Sequence, residues 1–117
     1  MHKNGSAKWI FLSIAAVAVG CAASKQVAIT EADVTLAKTE FSGVTLAELQ
    51  TGQVLFTEHC QSCHALKDPA SEGVRGWKHH VPEMVEMANR DKGADLDKKE
   101  EQAILRYVIT MGPLKKS

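Results

Sequence analysis

Cys60, Cys63 and His64 are the residues of this chain best suited to chemistry by type and spacing. They stand in the run Cys60-Gln61-Ser62-Cys63-His64. One helical turn can present two thiols at that spacing, and an imidazole follows at once. This is the attachment spacing for a c-type haem, in which the thiols add across two vinyl groups and the imidazole reaches the iron. A Cys-x-x-Cys pair can also be a thiol–disulfide centre. That use favours a strand-to-helix turn in an alternating β/α pattern, and no such pattern is visible. A zinc half-site would need a second Cys pair, and none follows. The expected cofactor is therefore one covalent haem c.

A low-spin haem iron needs a second strong axial ligand, and thioether sulfur suits the ferrous state. The candidates are Met84, Met87, Met111, His79, His80 and His59. Met84 ranks first because it lies on the apolar stripe Trp77, Val81, Met84, Val85, Ala88. Met87 is one turn on, towards the edge. The plain alternative for both is core filling, a common use of methionine. Pro82 complicates the choice: it either kinks this helix or starts it. Trp77 is expected at the haem edge or hydrogen-bonded to a propionate, with simple core packing as its alternative. The Pro69 carbonyl is a candidate acceptor for the His64 imidazole; otherwise Pro69 is a turn residue.

These groups must be carried by helices. Thr45-Leu46-Ala47-Glu48 fits a capping box. Leu46, Leu49, Gln53, Phe56 and Cys60 then repeat on one face, with Gly52 placed for close approach of another helix. Ala65 to Gly76, with three breakers, reads as a loop. A second helix is expected over Trp77 to Arg90, ended by Asp91-Lys92-Gly93. A third is expected over Asp95 to Met111, with Asp97 and Glu100 at cap spacing and Gly112-Pro113 as its stop. Its stripe is Ala103, Ile104, Tyr107, Val108 and Met111.

The N-terminal stretch points to export. A basic head with Lys3 and Lys8 precedes the apolar run Trp9 to Val19, too short for a membrane span and suited to a signal peptide. Ala18-Val19-Gly20-Cys21 resembles a lipobox, which predicts a signal peptide over 1–20 and a lipid on Cys21. Cleavage after a residue such as Ala23, or an uncleaved anchor, are the alternatives. Residues 21–43 are expected as a lipidated N-terminus and linker, with Val27, Ile29, Val34 and Leu36 able to form a short strand. The remaining 44–117 would be one small domain. The full chain has 14 basic and 14 acidic residues, and without 1–20 it sits near −2. That balance argues against a nucleic-acid binder.

From Thr45 to Met111 the chain resembles the class I c-type cytochromes in their smallest monohaem form. The Cys60 to His64 motif carries most of the likeness. Gly52 and Phe56 look like the family's first-helix pair, and Tyr107 like its last-helix aromatic. Trp77-x-x-x-Val81-x-x-Met84, Gly93-Ala94-x-Leu96 and Ile104-x-x-Tyr107-Val108 resemble one subgroup. The resemblance implies an all-α fold, three main helices around the haem, with the first and last helices crossing at the glycine. It also implies Met84 as the distal ligand. The expected function is a one-electron carrier, not an enzyme, held outside the cytoplasm by lipid and serving redox partner proteins. A haem-based gas binder or sensor with an open or labile sixth site is the alternative.

Overall fold

The computed structural model describes residues 27–60 and 66–117. The described residues form four α-helices: α1, Glu31–Ala37; α2, Leu46–Cys60; α3, Val74–Lys92; and α4, Lys98–Ile109. A short 3-10 turn, Pro69–Ser71, precedes α3, and a π turn, Thr110–Leu114, follows α4. The described residues are all-helical, with no strand among them. None of their helices is long and apolar enough to cross a membrane.

The helix starts follow local chemistry. Asp97 accepts the Glu100 N–H at 2.8 Å, and the Glu100 carboxylate accepts the Asp97 N–H at 2.9 Å. This is the capping box expected there, and it satisfies two amides that the first turn leaves open. The box at Thr45 is only half formed. Thr45 Oγ1 accepts from the Glu48 N–H at 3.1 Å. The Glu48 carboxylate turns away to Arg106 Nη1, at 2.9 and 3.0 Å, and so joins α2 to α4. Gly93 ends α3 in the left-handed conformation (φ 64°), and the Ala94 N–H returns to the Ala88 carbonyl at 3.2 Å. Beyond it, the Asn89 side chain clasps Leu96 from both sides: its Nδ2 donates to the Leu96 carbonyl (2.9 Å) and its Oδ1 accepts the Leu96 N–H (2.7 Å).

The core lies where three helices meet. Phe56 of α2 presents its ring to Trp77 of α3 at 5.9 Å, edge-on at 85°, and to Tyr107 of α4 at 5.8 Å. Around them Leu49, Val81, Ile104, Val108 and Ile109 are fully buried. Burying an aromatic ring of this kind contributes about 2–3 kcal/mol. The helical periodicities expected for α2, α3 and α4 are those observed; Leu105 and Ile109 add to the buried face of α4. Burial pushes the Tyr107 phenol above its usual pKa, and the Gln53 side chain opposes that shift.

Gly52 sits where α2 crosses α4. A Cβ there would collide with the Ala103 carbonyl oxygen and stand 2.8 Å from Tyr107 Cβ. Only a bare Cα lets the two backbones approach so closely.

Three expectations change. Residues 27–43 are not loose linker or strand. Thr30 and Asp33 form a capping box for α1, and Val34 and Ala37 are buried against the domain. Two long-range bonds hold this segment: Gln53 Nε2 donates to the Val27 carbonyl at 2.9 Å, and Lys115 Nζ pairs with Asp33 Oδ1 at 3.0 Å. Helical caps and burial decide here because alternating residues find no neighbouring strand to pair with. Second, of the two roles expected for Pro82, the start of the helix is excluded: it lies inside α3. The helix begins at Val74 and runs through Pro82, since packing of its apolar face outweighs one missing backbone donor. Third, Gly112-Pro113 does not stop the last helix. The chain widens into the π turn and carries on to Lys116.

Candidate functional site

Cys60 is the last residue of α2 and is half-buried against the core. Its position follows from the helix face: Leu49, Gln53 and Phe56, all buried, precede it at three- and four-residue steps. Gln61 to Ala65, including Cys63 and His64, lie outside the described residues. On the far side of that gap, Leu66 packs against the core. Asp68 then caps the 3-10 turn, accepting the Ala70 N–H at 2.8 Å.

Pro69 is the fixed point of this return. Its carbonyl accepts the Trp77 indole N–H at 2.8 Å. The same carbonyl lies so close to Gly112 that a Cβ there would collide with it. The described residues on either side of 61–65 are thus the end of α2 and a turn held by α3 and the π turn. This bears on two expectations. Pro69 fills one of its two expected roles, that of turn residue, and its carbonyl accepts from Trp77. A carbonyl oxygen carries two lone pairs, and His64, the other expected donor, lies outside the described residues. An indole has a single donor, so the Trp77 N–H is engaged by the backbone and not directed at a propionate. The Trp77 ring itself is fully buried among core residues. The signal for this arrangement in the sequence was weak. Gly112 looks like a helix stop, and nothing local links it to Pro69, 43 positions earlier.

The candidate distal ligands separate by burial. Met84 is half-buried and packs on the core, with Val81 and Val85 buried beside it on α3. Met87 is 41% exposed. Met111, in the π turn, is half-buried. His79 and His80 lie on the outer side of α3, where His79 is exposed and His80 half-buried. His59 is half-buried, with Nε2 4.0 Å from the Glu58 carboxylate. Of the residues expected to hold a haem, the structure describes Cys60, Trp77 and Met84: Trp77 belongs to the core cluster, and Cys60 and Met84 pack against it. Cys21, the expected lipid site, and the 1–20 signal stretch also lie outside the described residues.

No family model matches this chain, and neither a curated protein nor a solved structure matches it.

Proposed function

We propose that this protein is a one-electron carrier with a single covalent haem c, built on a small cytochrome c fold of the class I type. The observation that carries the proposal is the Cys60-x-x-Cys63-His64 run, issuing from a helix that crosses α4 at Gly52. The haem would supply the ferric/ferrous couple. Cys60 and Cys63 would hold it by two thioethers, and His64 would be the proximal ligand. Met84 is the favoured distal ligand, because the other thioether on α3, Met87, is turned towards solvent. Trp77 would act on the cofactor only through its ring and through the loop it anchors at Pro69. Met/His ligation raises the potential relative to two histidines.

The carrier would be exported and tethered by lipid at Cys21, beside membrane-bound redox partners. Residues 22–26 would then be the whole tether, because the chain is hydrogen-bonded to the domain at the Val27 carbonyl and buried at Ile29. Five residues span at most about 18 Å. The lipid would therefore keep the domain close to the membrane, at high effective concentration for its partners.

The test is the visible spectrum of the ferric protein, where sulfur ligation gives a weak far-red band. The band should be present in the wild type, vanish in Met84→Ala and persist in Met87→Ala. A band that survives Met84→Ala assigns the ligand to another methionine. A wild type without the band points to an open or histidine-bound site, and so to the gas-binding alternative.

A further inference from the structure

We propose that His79, His80 and Glu83 form a surface binding site for a divalent transition-metal ion of the zinc and copper class. The three offer one ligand atom each, all within 4.8 Å of one another. The Glu83 carboxylate bridges the two rings: Oε1 is 3.5 Å from His79 Nε2, and Oε2 is 3.7 Å from His80 Nδ1. Helix geometry produces this, since positions three and four apart share a face. Tetrahedral zinc, with bonds of about 2.0–2.2 Å, places its ligand atoms ~3.4 Å apart. Small rotations of exposed side chains close that difference; the side chains of His79 and Glu83 are 70% and 57% exposed. Two imidazoles and one carboxylate suit zinc, copper and nickel better than the all-oxygen ions calcium and magnesium.

A second feature supports the site. The other nitrogen of His80, Nε2, faces Glu72 Oε1 at 3.5 Å. A carboxylate behind a ligating imidazole is the usual way a metal-bound histidine is oriented. Glu72 reaches this position across Gly76, where a Cβ would stand 2.6 Å from Glu72 Oε2. Lys67 donates to Glu72 at 2.8 Å and fixes the carboxylate in that place. Glu72 is thus an outer carboxylate by position, on the Nε2 side of His80, and leaves His80 Nδ1 for the metal. Solvent water would fill the fourth position.

The proposal is independent of the haem reading, and its test uses no haem signal. The full chain is titrated with zinc chloride by calorimetry. One zinc per chain is expected. His79→Ala and His80→Ala should each weaken binding by about tenfold or more, and Glu72→Gln by a smaller factor of the same sign. His59→Ala should leave it unchanged. Zinc should raise the melting temperature of the wild type and not that of Glu83→Gln, an exposed and near-isosteric change that leaves the fold intact. Absence of saturable binding in the wild type overturns the proposal. So does zinc affinity that both histidine variants retain.

Discussion

The Trp77 indole has one hydrogen to donate, and it goes to the backbone of a loop 8 residues earlier. This single bond joins α3 to the 3-10 turn at Pro69–Ser71. Trp77→Phe should remove the bond and leave a small void, for a combined loss of about 2 kcal/mol in unfolding free energy. Denaturant unfolding measures the loss. Limited proteolysis should show cleavage around Lys67 rising more than cleavage on α4. A purely volumetric role for the indole would destabilise the fold evenly and leave that ratio unchanged.

At the scale of elements, the α2–α4 crossing is the contact that tolerates least change. The atoms facing Gly52 are the backbone carbonyl of Ala103 and the Cβ of Tyr107, and neither can swing aside as a long side chain would. Gly52→Ala should force the helices apart and cost about 3 kcal/mol, at the upper end for overpacking. Gly73 provides the contrast. It is the N-cap of α3, and a Cβ there meets nothing within 4 Å. Gly73→Ser should leave stability level or raise it by about 0.5 kcal/mol through a capping hydroxyl. Thermal unfolding of the two variants beside the wild type decides both. The Gly52 contact was legible in the sequence because a glycine on an apolar helical stripe has few other uses.

For the molecule as a whole, α1 closes the fold by bringing residues 27–37 against the C-terminal turn. Its clasp is Asp33, whose side chain is 6% exposed, paired with Lys115. Burial pushes the Asp33 carboxyl up, but the Thr30 N–H and the Lys115 ammonium together outweigh burial and hold it below its usual pKa. The folded pKa is the lower one, so the clasp contributes fully above the ordinary aspartate range and is lost as pH falls through the folded value. The exchange protection factors of the α1 amides, which remove the intrinsic pH dependence, should fall below about pH 4 in the wild type. In Asp33→Asn they should already be low at neutral pH and change little with acid.

Local chemistry was enough to read the helical class, the apolar faces of α2, α3 and α4, the cap at Asp97, the left-handed end at Gly93 and the thiol–imidazole run. Each of these depends on residues within one or two turns of each other, so spacing alone reveals them. The helix at Glu31–Ala37 escaped that reading because seven residues have too short a period to declare themselves. Asp33 in the helix and Val27 before it are held by Lys115 and Gln53, 82 and 26 positions away. Pro82 and Gly112-Pro113 carry the residue types that usually end helices. Only tertiary packing decided otherwise, because burying Val81, Val85 and Thr110 offsets a missing donor and an irregular turn. Trp77, Pro69 and Gly112 meet from three separate segments, and no local pattern could join them.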